Sequence, residues 1–287
     1  MTFSPGFFIV SSMWNSKDVY YISDSTGILV TNLGQALTCQ FPEINFVEEN
    51  YPFIRTITEA REIVKTILKR SAGRRPLVFI SVMDPEIRQI FDNPEVEFFD
   101  IFGSLLDDLE HSLESKALRV PGFSHHMDGM EMGKRVEAIH YCLDHDDGTK
   151  TYEYDEADII LLGVSRAGKT PVSVYLATQM GYKAANFPLT TEYLNQYKLP
   201  PSLKAVAKRL VGLTTSPEFL SSVREKRYPG SKYAKISTCR EEIEQAEEIY
   251  RRNGIPIVSS SGKSIEEIAT QICQVIYLPK KKVTLRP

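Results

Sequence analysis

Short apolar, β-branched runs alternate with longer stretches of helical period along most of the chain. "DVYYIS" leads into 25–40, "INFVEE" into 56–70 and "PLVFISV" into 84–116. Past residue 150 the pattern resumes: "ADIILLGV" leads into 171–181, "KAANFPL" into 201–209, "RLVGLTT" into 217–227 and 238–253, and "GIPIVSS" into 264–277. Strand followed by helix forces crossover connections, so the pattern predicts an α/β protein with mainly parallel sheets. It also predicts two halves, an N-terminal α/β domain over 18–117 and a C-terminal α/β half over 151–278, whose P-loop kinase-like reading comes from a glycine-rich loop at 163–170. Between them, 118–150 is a connecting segment crowded with glycines, histidines and acids, with one helix near 131–143. Residues 1–17 read as an N-terminal extension, an extra strand or a loose arm, and 279–287 as a solvated basic tail.

Composition narrows the function classes. The 287 residues are 42% hydrophobic and 25% charged, enough to bury one large core or two smaller ones. A net charge of −3 gives no wholesale attraction to nucleic acid or anionic lipid, so neither is an expected partner. Cys39, Cys142, Cys239 and Cys273 form no CxxC pair, which points to structural thiols in a reducing compartment. The start lacks the basic region and cleavage site of a signal peptide, and no run approaches the roughly 20 apolar residues needed to cross a bilayer. The expected location is the cytoplasm.

The sharpest local signal is "GVSRAGKT", Gly163 to Thr170, which satisfies G-x-x-x-x-G-K-[ST] in full. Ordinary composition would meet those four constraints in about one chain of this length in a hundred. The context is the one the chemistry needs, because "DIILL" reads as a buried strand before the loop and "VSVYLATQM" as a helix after it. Glycines Gly163 and Gly168 let successive N–H groups of Val164, Ser165, Arg166 and Ala167 turn inward on phosphate oxygens, and a helix N-terminus adds positive potential. Lys169 would neutralise phosphate oxygens, Thr170 would offer its hydroxyl to Mg2+, and Arg166 could meet a further phosphate. The alternative is a tight turn with an incidental lysine. A second stretch, "SSSGKS" at 259–264, also follows a strand, but Ser264 and Glu267 make a capping box that explains it more simply.

Phosphoryl transfer also requires carboxylates and a proton acceptor. "HDDG" offers His145 as a proton shuttle, Asp146 as a catalytic carboxylate and Asp147 as a metal ligand, against the plainer reading of an Asp-Gly turn. "ISDST" ends the first strand, where Asp24, Ser25 and Thr26 are either helix caps or a second anion site. Asp84 in "MDPE" reads as an N-cap before a Walker-B-like acid, and spacing leaves His125 and His126 undecided between phosphate contacts and surface residues.

Taken together, "GVSRAGKTPVSVYLA", "KAANFPL", "RVEAIHYCLDHDDG" and "YRRNGIPIVSSSGKSIEEIA" closely resemble the phosphoenolpyruvate synthase regulatory proteins. These are bacterial bifunctional kinase/pyrophosphorylases, related to the regulators of pyruvate, phosphate dikinase. The likeness runs from about residue 18 to residue 277. It implies an ADP-dependent serine/threonine kinase that inactivates phosphoenolpyruvate synthase by phosphorylating a threonine. It also implies the reverse, in which inorganic phosphate attacks the phosphothreonine and pyrophosphate leaves. By this similarity Gly163 to Thr170 form the nucleotide-binding loop, Lys169 and Arg166 hold phosphates, and a homodimer is the expected assembly. ADP β-phosphate and inorganic phosphate would share one cradle. The chain departs from the family pattern at Met132 and Gly133 and in "SDSTGILVT", which lacks an acidic residue. Three alternatives stay open: a dikinase regulator with the same chemistry, a small-molecule P-loop kinase, and a sensor that acts by binding alone.

Overall fold

The computed structural model describes residues 16–123 and 129–276. Most of the N-terminal extension, His125 and His126, and the basic tail lie outside the described residues. The chain divides into two compact units, Met1–Met127 and Asp128–Pro287, each with its own sheet.

In the first unit β1 (Ser16–Ile22), β2 (Asn45–Tyr51), β3 (Leu77–Ile80) and β4 (Glu97–Asp100) pair in parallel in the order β2-β1-β3-β4. In the second unit β5 (Ile159–Gly163), β6 (Ala184–Pro188), β7 (Leu210–Thr214) and β8 (Ile257–Ser259) are again parallel, in the order β6-β5-β7-β8. The α/β class with parallel sheets is therefore the observed one. Both units share one topology, with the first strand between the second and the third.

Helices cover both faces of each sheet, so the central strands read as unbroken apolar runs. All five residues of β5 are buried, with Ile160 and Leu162 in one core cluster and Ile159 and Leu161 in the other. In the first unit Tyr20 and Ile22 face one cluster while Val19 and Tyr21 face another.

Two details depart from the sequence pattern. The stretch 84–116 is not one helical segment but α3 (Pro85–Phe91), β4 and α4 (Gly103–Leu113), which follow α1 (Ile28–Thr38) and α2 (Ile57–Ser71). Four residues, "EFFD", carry too few positions to show a period of two, although Asn93-Pro94 marks the break. The connecting segment, in turn, is partly built into the second unit. Its helix α5 (Gly129–Asp144) packs Ala138 and Cys142 on Ala177 of α6 (Lys169–Met180). The remaining helices are α7 (Thr191–Gln196), α8 (Pro201–Ala205), α9 (Pro217–Arg227), α10 (Ile236–Arg252) and α11 (Ile265–Val275).

Candidate functional site

In each sheet the first crossover runs to one side of the first strand and the next returns to its other side, a reversal that opens a crevice at the strands' carboxyl ends. In the second unit that position belongs to the loop from β5 to α6. Arg166 at φ 73 and Gly168 at φ 98 turn the backbone left-handed, and no side chain caps the helix that begins at Lys169. The first amides of a 12-residue helix and the curled loop N–H groups thus face the same concavity, an arrangement suited to phosphate oxygens.

Lys169 is only 6% exposed, and its Nζ donates to the Val164 carbonyl across its own loop at 3.2 Å. Burial disfavours the ammonium and pushes its pKa down to about 8, with Asp147 and Asp146 opposing the shift. The protonated amine is the anion-binding form, so rising pH should strip it in the free protein. Sulfate, whose own charge is constant in this range, is expected to bind equally well from pH about 6 to 7. Above about 8 it should weaken by up to tenfold per pH unit. Calorimetric titrations from about pH 6 to about pH 10 check this, and an affinity unchanged over that range would contradict it.

The "HDDG" turn is fixed more tightly than a surface turn requires. Thr170 Oγ1 donates to Asp146 Oδ1 at 3.0 Å, and Asn186 Nδ2 donates to the same oxygen. Asn186, 1% exposed on β6, also accepts the Asp147 N–H at 2.9 Å, while Tyr154 Oη donates to the Asn186 carbonyl at 3.1 Å. One buried amide therefore sets both aspartates against the loop. Asp147, held at φ 55, is exposed, and its carboxylate makes no hydrogen bond among the described residues.

His145 stands elsewhere. It is 2% exposed, stacked on Tyr141 at 3.7 Å between centroids, with Nδ1 at 2.7 Å from the Tyr141 carbonyl and Nε2 at 3.0 Å from Glu153. Both ring nitrogens are engaged away from the cavity, so the placement anchors the turn rather than offering a free proton carrier.

A cavity of about 440 Å³ is lined by Asp147, Ser165, Lys169 and Thr170 together with the apolar side chains of Phe219, Val223, Ile265 and Ile268. Ser260 and Lys263 of the "SSSGKS" stretch border it too. The capping box of Ser264 and Glu267 is present, as the sequence pattern predicts, yet the same loop also reaches the cavity.

Behind the loop lies Arg224, wholly buried on α9. Its guanidinium donates twice to the Ser165 carbonyl, at 3.3 and 3.0 Å, to Glu242 at 2.6 Å and to the Tyr233 carbonyl at 3.1 Å. It also sits 3.9 Å from the Tyr233 ring centre, and Tyr233 Oη donates to Ser165 Oγ at 2.8 Å. Arg224, Tyr233 and Asn186 were invisible to motif reading because each acts through tertiary contacts 39 to 68 residues away.

In the first unit, Asp24 occupies the equivalent topological position at the end of β1. It is 3% exposed and accepts the Met83 N–H at 2.6 Å, and desolvation raises its pKa. Ser25 N–H donates to Ser23 Oγ at 3.1 Å, and α1 starts after Gly27 with no side-chain cap, so Asp24, Ser25 and Thr26 do not cap it. Asp24 instead borders a cavity of about 260 Å³ with Arg55, Asp84 and Arg119. Asp84 caps α3 through the Glu86 and Ile87 amides, at 2.8 and 3.3 Å. No group of three or more His, Cys, Asp and Glu suited to a metal occurs among the described residues, nor any helix long and apolar enough to cross a membrane.

Fold and loop define the class: an α/β protein with a strand–glycine loop–helix element, acidic side chains at its helix start and a cavity built around it. The kinase/pyrophosphorylase family profile matches residues 19–273, and the chain belongs to that family. A Desulfotalea psychrophila protein named as a candidate phosphoenolpyruvate synthase regulatory protein is 44% identical over 262 residues, covering 91% of this chain and 96% of its own. Similarly named proteins from Neisseria gonorrhoeae and Hahella chejuensis are 40% and 42% identical. They cover 94% and 89% of this chain, and 100% and 95% of their own lengths.

Proposed function

We propose that this chain regulates phosphoenolpyruvate synthase by ADP-dependent phosphorylation of a threonine and by phosphate-dependent removal of that phosphoryl group as pyrophosphate. One observation carries the reading: a single cavity is lined both by the cationic loop around Lys169 and by apolar side chains, the two kinds of surface a nucleotide needs. The family and the names of the relatives supply the target.

In the forward step the threonine oxygen bonds to the β-phosphorus of ADP, the bridge to the α-phosphate breaks, and AMP leaves. In the reverse step an oxygen of HPO4²⁻ bonds to the phosphothreonine phosphorus and the P–O(Thr) bond breaks. The phosphate's proton ends on the threonine oxygen, and pyrophosphate leaves. AMP and inorganic phosphate therefore play the same part on opposite sides of one transferred phosphoryl group. Phosphate thus corresponds to the α-position of ADP, not to the β-position expected from the loop alone.

Lys169 and the loop amides hold phosphate oxygens and favour the charge that develops on them. Thr170 and Asp146 fit a magnesium ion, which takes few protein oxygens and completes its shell with phosphate and water. That ion would lend charge neutralisation during transfer. Asp146 is committed to Thr170 and Asn186, so the free carboxylate of Asp147 is the better proton acceptor for the threonine hydroxyl, an exchange of the roles expected from sequence.

The test uses β-labelled ADP with the purified protein and phosphoenolpyruvate synthase. Label on a synthase threonine, released as pyrophosphate when phosphate is added, is the expected result. Label on pyruvate, phosphate dikinase instead would move the target. Transfer from ATP to a metabolite, or altered synthase activity without covalent label, would replace the reading with a small-molecule kinase or a sensor.

A further inference from the structure

Lys263 is left over from the loop chemistry, and its surroundings give it a task. It sits in the β8–α11 loop, half-buried, and borders the same cavity as Lys169 and Arg166. Its Nζ donates to the neutral amide of Gln271 at 2.8 Å, and no carboxylate neutralises it among the described residues. The nearby acid is turned away, because Glu267 accepts the Ser264 N–H at 2.8 Å to close the capping box. The loop itself is tied to the phosphate loop: Ser260 Oγ donates to the Ala167 carbonyl at 3.1 Å, with the Thr214 carbonyl equally near, and Ser260 N–H donates to Thr214 at 2.8 Å. Gly262 at φ 69 makes the turn that brings Lys263 round.

A cation bordering the same cavity as the glycine loop, on a loop bonded to it, is an arrangement that suits a two-phosphate ligand. One phosphate can be cradled by the loop alone. The adjoining phosphate of a diphosphate calls for a counter-charge of its own. We propose that Lys263 is the second phosphate-binding residue of the site, contacting one phosphate of a diphosphate, ADP or pyrophosphate, while the Lys169 loop holds the other. The proposal rests on the nucleotide reading above and specifies how one site holds the diphosphate of either direction, ADP or pyrophosphate.

Calorimetry on the full chain with ADP, pyrophosphate, AMP and inorganic phosphate, each against wild type, Lys263→Gln and Lys263→Arg, decides the matter. Lys263→Gln should weaken ADP and pyrophosphate alike by about 10- to 30-fold, the scale of a charge-assisted contact. AMP and phosphate, which can use the loop alone, should lose less than about threefold, and Lys263→Arg should restore most of the loss. ADP and AMP weakened together with pyrophosphate spared would assign Lys263 to the nucleoside instead and overturn the proposal. So would four unchanged affinities. A wild-type protein that binds none of the four would instead sink the nucleotide reading on which the proposal stands, and an unchanged melting temperature of Lys263→Gln shows that the variant folds.

Discussion

Lys169→Ala is expected to lower both of the proposed phosphoryl-transfer directions by roughly 10²- to 10³-fold, the usual cost of deleting one preorganised group that meets developing charge. The loss should fall mainly on kcat, because the loop amides and Arg166 remain to bind ground-state phosphate. Folding should not suffer. The ammonium is buried with a single carbonyl partner at 3.2 Å and a pKa already lowered to about 8, so alanine removes a desolvated charge rather than a supporting contact. Steady-state rates with ADP and synthase, beside a thermal melt, measure both halves. Activity within tenfold of wild type would show that Lys169 does not touch the transferred group.

Arg224→Ala should be the most damaging change outside the cavity. The side chain is fully buried, and its donors serve the Ser165 carbonyl, the Tyr233 carbonyl and Glu242. Removing it leaves two carbonyls without their donor and Glu242 without its counter-charge. Broken buried pairs cost about 3–5 kcal/mol, and the lower end applies because Glu242 keeps 21% of its surface in water. Denaturant unfolding should register a loss of about 3 kcal/mol. The conservative change Arg224→Lys should recover little, since a point charge on a flexible stem lacks the planar fork that meets all these acceptors at once. A second effect follows from Ser165: once its carbonyl is released, the loop must be ordered at each binding event, so ADP affinity should fall even where the variant remains folded. Stability within about 1 kcal/mol of wild type would mean that neighbours take over the carbonyls.

The strands and the strand–glycine loop–helix element were legible because each depends on residues close in sequence. β5 is five consecutive buried residues, and the Gly163 to Thr170 spacing is a local code for backbone shape. The site's support was not. Asn186 lies in a strand whose pattern shows only burial, and nothing local marks its amide as the brace for Asp146 and Asp147. "HDDG" reads more simply as an Asp-Gly turn, and only the fold brings Thr170 Oγ1 to 3.0 Å from Asp146. The "SSSGKS" loop shows the opposite case, since a correct local explanation, the capping box of Ser264, hid the separate role open to its neighbour Lys263. Asp24 differs again: the sequence offered a cap or an anion site, and the structure commits its carboxylate to the Met83 amide and leaves α1 without a side-chain cap.

The shared strand order bears on how the protein is made. A central first strand cannot satisfy either edge until later strands leave the ribosome. β1 waits for residues 45–51 and 77–80, and its whole unit has emerged by Met127. β5, which carries the phosphate loop, needs β6 at 184–188 and β7 at 210–214, and the sheet is completed only by β8 at 257–259. Synthesis therefore gives the first unit time to close while the second still lacks partners, and long crossovers make such parallel pairing slow. The nascent chain should resist protease in its N-terminal part well before it does in its C-terminal part. The glycine loop would gain its shape only once residues 184–214, which supply both neighbours of β5, have emerged, well after the first unit can close.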